Sequence, residues 1–229
     1  GIVFLARRRL VRVSVWHWPS AWAVARIGAP TAATGVIFSL VYIGLTRITT
    51  RFGTPALAAL GVGHKLEGFA YMAATGFALA AAAVVGQNLG AKRPDRARHA
   101  GWLTMSYALV AGGIAAIAFL AFPEALLKVF TSSPEVIADG ASYLRIIAFA
   151  ELAMVVEIVL EGAMGGAGFT LQPMLWSVGL TAARIPIAAW LAAAIGLPGV
   201  WWAISLTALC RGAAMALLWR GERWQSVRV

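Results

Sequence analysis

Glu67 is a carboxyl group within a run of small and apolar residues that extends from Leu66 to Leu89. Tyr71 follows it by four residues, so an α-helix places both side chains on one face. A carboxylate at membrane depth costs roughly 2.5–3.5 kcal/mol on insertion scales, and such groups usually bind ions or protons. We expect Glu67 and Tyr71 to line a cavity that binds a cation or a proton. The alternative is a structural pair between Glu67 and Lys65, His64 or a residue of a neighbouring helix.

Three more carboxyl groups, Glu151, Glu157 and Glu161, lie in a second apolar segment, residues 136–164. Glu157 and Glu161 are four residues apart and share a helical face, whereas Glu151 points roughly 80–120° away on an ideal helix. Repulsion between like charges favours a proton on one member of the Glu157 and Glu161 pair, as in a proton-coupling site. The alternative for Glu161 is an interfacial position near the end of the segment.

Arg184 lies in the middle of a further apolar segment, two residues before Pro186. A central arginine in a membrane span needs a partner or water. We expect Arg184 to belong to the same site, paired with one of the glutamates of residues 136–164. For Arg145 and Arg211 we expect side chains that extend toward the membrane interfaces.

The sequence contains no pattern typical of an enzyme. The three histidines are scattered without metal-ligand spacing, and there is no nucleophile elbow or phosphate-binding glycine loop. The single cysteine, Cys210, excludes an internal disulfide and a cysteine metal cluster. We therefore expect no enzyme activity and no cofactor except a coupling ion.

The composition is that of a membrane protein. Of 229 residues, 61% are hydrophobic and 12% are charged, whereas about a quarter of the residues of a soluble domain are charged. The net charge of +10 comes from basic residues near the ends of apolar segments. No basic face is interleaved with exposed aromatic residues, so we expect no nucleic-acid binding.

The fold class predicted from these segments is all-α, a polytopic bundle of six transmembrane helices within residues 25–220. Each apolar segment is long enough to cross a bilayer as a helix, which takes about 20 residues. The predicted spans are Ala25–Thr50, Pro55–Leu89, Ala100–Phe122, Val136–Met164, Leu171–Leu197 and Val200–Trp219. Residues 1–24 are expected to be the end of a preceding helix and a cytoplasmic linker, and residues 221–229 a cytoplasmic tail.

The distribution of basic residues predicts the orientation. Five lie before residue 27, four in the loop after the second span and three from residue 220 onward, against three on the opposite side. Both termini are therefore expected in the cytoplasm. Eight of the tryptophans lie near predicted span ends, where an aromatic belt would place them.

The segment from Pro123 to Pro134 is short and amphipathic. It is expected either to lie along the outer membrane interface or to form an ordinary loop. Ser133, followed by Pro134, has the sequence of an N-cap with proline at the first helical position.

Three blocks of sequence resemble one family. They are IGAPTAATGVIF at residues 27–38, LEGFAYMAATGFALAAAAVVGQNLGAKRPDRA at residues 66–97 and EGAMGGAGFTLQP at residues 161–173. Their order and spacing resemble the multidrug and toxic compound extrusion (MATE) family. The resemblance covers nearly the whole chain and implies one carboxy-terminal, six-helix lobe of a twelve-helix transporter.

The resemblance implies half of a secondary antiporter in a cell inner or plasma membrane, which exchanges cationic or amphipathic compounds for H⁺ or Na⁺. It also implies that Glu67, Glu157 and Glu161 would be the ligands of any Na⁺. The partners of the antiporter would be membrane lipid, these small substrates and an amino-terminal lobe. Two other functions remain open: a lipid or oligosaccharide flippase of the same superfamily, and a non-transporting remnant or assembly subunit.

Overall fold

The computed structural model of this chain describes residues 18–226, so the expectations for residues 1–17 and 227–229 lie outside the described residues. Within residues 18–226 the chain is helical and has no strand. Its helices are α1 (Trp18–Thr49), α2 (Thr54–Gly90), α3 (Pro94–Ala121), α4 (Pro123–Lys128), α5 (Pro134–Gly166), α6 (Leu171–Ile195) and α7 (Leu197–Arg220). Two short 3₁₀ turns, Thr50–Phe52 and Glu222–Ser226, follow α1 and α7. The all-α fold is confirmed.

Five of the six long helices are long and apolar enough to cross a membrane, as predicted. The exception is α5, because any 18-residue stretch of it contains at least three charged side chains. The predicted boundaries shift by a few residues at most helix ends. The largest differences are at α1, which begins seven residues earlier than predicted, and α3, which begins six residues earlier, at Pro94.

The charged helix α5 lies at the centre of the bundle. It packs against α2, α3, α4 and α7, and α6 packs against α1 and α7 on one side. Two apolar clusters surround α5, one around Tyr143 and Trp201 and the other around Val159 and Trp219. The helix with the most acidic residues is thus shielded by its neighbours, which lets its carboxyl groups face an interior site.

Glycine residues of α5 allow α2 and α5 to come into close contact. A Cβ on Gly162 would lie 2.7 Å from the carbonyl oxygen of Ala78, and one on Gly166 would lie 2.2 Å from that of Ala82. Small residues of this kind allow helix backbones to approach closely in membranes. The contact fixes the register between the helix that contains Glu67 and the helix that contains the other three glutamates.

The prediction of an aromatic belt, whose side chains face the membrane interface, is wrong for three of the eight tryptophans. Trp201, Trp219 and Trp224 are fully buried. Trp201 packs edge-on against Tyr143, and Trp219 stacks on Trp224, whose Nε1 donates to the Trp219 carbonyl oxygen. Part of the predicted tail, residues 222–226, therefore folds back against the bundle.

The segment between α3 and α5 forms the short helix α4. Glu124 of α4 accepts a hydrogen bond from Arg145 of α5, and Arg145 is exposed. Ser133 occupies the N-cap position of α5 as predicted, although its side chain makes no capping hydrogen bond.

Candidate functional site

A cavity of about 580 Å³ opens between α1, α2, α5, α6 and α7, a volume suited to a drug-sized molecule. All six residues predicted to form the site line this cavity. They are Glu67 and Tyr71 of α2, Glu151, Glu157 and Glu161 of α5, and Arg184 of α6. The remaining wall is largely apolar and includes Phe38, Met154 and Ile204.

Glu67 is 7% exposed and is held by two protein groups. The Tyr143 hydroxyl of α5 donates a hydrogen bond to its Oε2, and Nδ1 of His64 lies 3.1 Å from the same oxygen. Gly63 provides the space for this contact, because a Cβ there would overlap the Tyr143 ring. Of the structural partners considered for Glu67, His64 and a residue of a neighbouring helix, Tyr143, are therefore both in contact with it. Lys65 points outward and is exposed.

Tyr143 is a hydrogen-bond partner of Glu67 that the sequence did not indicate. It lies 76 residues from Glu67, and its only sequence signal is a hydroxyl group in an apolar segment. Tyr42 of α1 adds an aromatic ring 4.2 Å from the His64 ring, measured between centroids. Three helices thus hold the Glu67 carboxyl group in one position, while Tyr71 is half exposed at the cavity.

Glu151, unlike Glu67, is buried without a hydrogen-bond partner among the described residues. Its side chain is 1% exposed, and neither carboxyl oxygen has a hydrogen-bond partner among the described residues. An unsatisfied buried polar group costs about 1–3 kcal/mol. The expectation that Glu151 points away from Glu157 does not separate it from the site, because the cavity wraps around α5 and all three glutamates line it. A proton or a bound cation would neutralise this carboxyl group.

Glu157 forms an ion pair with Arg211 of α7, with 2.9 Å between Oε1 and Nη1. Ser177 donates a weaker hydrogen bond of 3.4 Å to the same oxygen, and Arg211 also donates to Thr181. The expectation that Arg211 extends to an interface is therefore wrong. It lies nine residues before the end of α7, about 14 Å along the helix at 1.5 Å per residue, which is too deep for its side chain to reach water easily.

Arg184 is 2% exposed, and its Nε donates a 2.8 Å hydrogen bond to Thr207 of α7. No glutamate oxygen of the described residues lies within 4 Å of it, so the expected ion pair with α5 is wrong. Arg211 of α7 forms the ion pair with α5 instead, because its side chain reaches Glu157.

Glu161 is half buried and lines the cavity beside Gly162, so its position is not simply interfacial. Within residues 18–226, no three histidine, cysteine, aspartate or glutamate side chains converge closely enough to hold a metal ion. Glu67, Glu157 and Glu161 therefore do not converge as a set of three carboxyl groups.

Comparison with known proteins identifies the family. The family model described as MatE matches residues 30–190. The probable multidrug resistance protein NorM of Thermotoga maritima is 28% identical over 214 residues, which are 91% of this chain and 46% of that protein. The chain thus spans about half the length of the curated relatives that it matches.

Solved structures share the fold. A MATE structure in the straight conformation superposes with a TM-score of 0.86 at 16% identity, over 95% of this chain and 51% of that one. The bent form of the Vibrio cholerae MATE transporter VcmN gives a TM-score of 0.83 at 20% identity, over 96% and 51%. With a family model that covers most of its length, this chain belongs to the MATE family of multi-pass membrane transporters.

Proposed function

We propose that this chain forms one lobe of a multidrug efflux antiporter, which exports cationic or amphipathic compounds in exchange for H⁺. The observation that carries the proposal is Glu151, a buried carboxyl group that lines the cavity and has no hydrogen-bond partner among the described residues. The names of the curated relatives, which include multidrug resistance proteins, support the substrate class.

The proposed exchange is a competition for negative charge. An organic cation in the cavity is stabilised by ionised Glu151 and Glu67, and it loses this attraction when protons neutralise them. Glu67 is positioned by Tyr143 and His64, so it acts in a fixed geometry. H⁺ is favoured over Na⁺ because a single carboxyl group can accept a proton, whereas Na⁺ needs several converging oxygen ligands.

The proposal requires a second lobe. Alternating access in transporters built from repeats moves one half against the other around a site near the membrane midplane. This chain supplies one wall of that site, and an amino-terminal lobe would supply the other. We place the chain in a plasma or inner membrane, and the positive-inside distribution of basic residues supports an orientation with both termini in the cytoplasm.

The experiment measures drug-dependent proton flux in liposomes that contain a two-lobe transporter with this lobe. We expect Glu67→Gln and Glu151→Gln to abolish the flux, because a neutral amide neither releases a proton nor attracts a cation. The control is Glu135→Gln, which removes an exposed carboxyl group from the same helix as Glu151. Wild-type flux in both cavity variants would refute the proposal.

The same reasoning predicts that cells making only the 229-residue chain gain no dye efflux. The wall of its cavity would then face lipid instead of a second lobe. Efflux by the chain alone would contradict the need for an amino-terminal lobe and would indicate a dimer of identical lobes.

A further inference from the structure

The cavity contains a cationic group that the proposed cation exchange does not use. Arg184 lines the cavity, and its Nε is bonded to Thr207, but its two terminal nitrogens have no hydrogen-bond acceptor among the described residues. Arg211, the other arginine of the cavity, differs because its Nη1 is shared between Glu157 and Thr181. Arg184 is therefore a nearly fully buried guanidinium group with free donors.

Thr207 holds Arg184 in one orientation. The threonine hydroxyl donates to the carbonyl oxygens of its own helix, at 2.8 Å from Ala203 and 3.0 Å from Ile204, and its oxygen accepts the hydrogen of Arg184 Nε. With Nε fixed, the two terminal nitrogens keep a constant direction. A guanidinium group presents such donors in a rigid fork that matches the two oxygens of a carboxylate.

Both signs of charge thus line one cavity. Glu67 and Glu157 lie within electrostatic reach of Arg184, and Glu151 is the carboxyl group without a partner. A purely cationic ligand would satisfy the acids and leave Arg184 unpaired. A ligand with both an amine and a carboxylate would satisfy both kinds of group.

We propose that Arg184, oriented by Thr207, is a carboxylate-binding subsite that makes the cavity selective for amphoteric compounds, those with a cationic amine and an acid group on an apolar body. The apolar body would contact Phe38, Met154 and Ile204, which line the same cavity. This inference rests on the proposed function, since it specifies the substrate class of that site.

The test compares two fluorescent ligands that differ by one carboxylate. Monodansylcadaverine is a dansylated amine, and Nε-dansyl-lysine is the same molecule with a carboxylate beside the amine. Each is titrated against a two-lobe transporter that contains this lobe, in lipid nanodiscs, with dansyl fluorescence as the signal. We expect the wild-type protein to bind dansyl-lysine about tenfold more tightly, as one charge-assisted bidentate contact allows.

Arg184→Gln should remove this preference or reverse it, because the other arginine of the cavity, Arg211, is already paired with Glu157 and the remaining charged groups are carboxyl groups. Thr207→Val should reduce the preference while keeping the charge, which distinguishes orientation from charge alone. Arg145→Gln, which changes an exposed arginine, is the matched control and should retain the preference. The comparison of the two ligands in the wild-type protein needs no variant, so it stands even if Arg184→Gln fails to fold.

Three results would overturn the inference. If monodansylcadaverine binds as tightly as dansyl-lysine, the carboxylate subsite is wrong while the cation site stands. If the preference survives in Arg184→Gln, another group provides it. If neither ligand binds, both the subsite and the proposed function are contradicted.

Discussion

Replacing Gly166 by alanine would push α2 and α5 apart at their closest contact. The new Cβ would lie 2.2 Å from the Ala82 carbonyl oxygen and 2.6 Å from its Cα. Ordinary van der Waals contact begins at 3.4 Å, so the clash is about 1.2 Å deep. Because the obstructing atoms belong to the backbone, a change of rotamer cannot relieve it.

The expected cost follows from this geometry. Overpacking a well-packed interior costs typically 1–3 kcal/mol, and a clash with backbone belongs at the upper end, at about 2–3 kcal/mol. For a chain of this size, 1 kcal/mol shifts the Tm by roughly 2–4 °C. We therefore expect the Tm of Gly166→Ala to fall by about 5–10 °C.

The assay is thermal unfolding in detergent, followed by intrinsic tryptophan fluorescence. Gly165→Ala is the matched control, because it is the preceding residue and a Cβ there meets no atom within 4 Å. Alanine has the higher helix propensity, so the control should equal or slightly exceed the wild-type Tm. Equal Tm values for the two variants would refute the packing account of the α2–α5 contact.

Further substitutions test two of the polar contacts. Glu157→Gln leaves Arg211 buried and unpaired, at a cost of about 3–5 kcal/mol at any pH because arginine stays charged. Arg211→Gln leaves the Glu157 carboxyl group unpaired, and a proton can neutralise that group, so the Tm loss of this variant should be smaller at low pH. Additive Tm losses in the double variant Glu157→Gln/Arg211→Gln would contradict the ion pair. At the surface, the pKa of Glu124 is lowered by a hydrogen bond from its own backbone amide and by the neighbouring Arg145. This stabilisation is present above the carboxyl group's unfolded pKa and is lost as pH falls through the folded pKa. Glu124→Gln should therefore lower the Tm slightly at neutral pH and leave it unchanged at acidic pH. A Tm deficit that persists in acid would contradict this prediction.

The positions of the six long helices and the acidic character of the site were predictable from sequence because both depend on local pattern. Runs of about 20 apolar residues identify spans regardless of their neighbours. The cost of a charge in the membrane likewise marks Glu67, Glu157 and Arg184 without any knowledge of packing. All the residues predicted on this basis line one cavity.

The pairing of charges was not predictable, because it depends on how helices rotate against each other. Glu157 had two arginines available in later segments, and only the packing of α5, α6 and α7 assigns it to Arg211 and leaves Arg184 to Thr207. Tyr143 reaches Glu67 because Gly63 has no side chain, a dependence between residues 80 positions apart that no local pattern records.

The central claim is that protons and organic cations compete for the cavity carboxyl groups. The most direct test is calorimetric titration of a purified two-lobe transporter that contains this lobe with tetraphenylphosphonium, a permanent cation, in buffers of different ionisation enthalpy across pH 6–8. The account predicts that each bound cation releases up to about one proton and that affinity weakens as pH falls. Binding without proton release, at an affinity independent of pH, would contradict it.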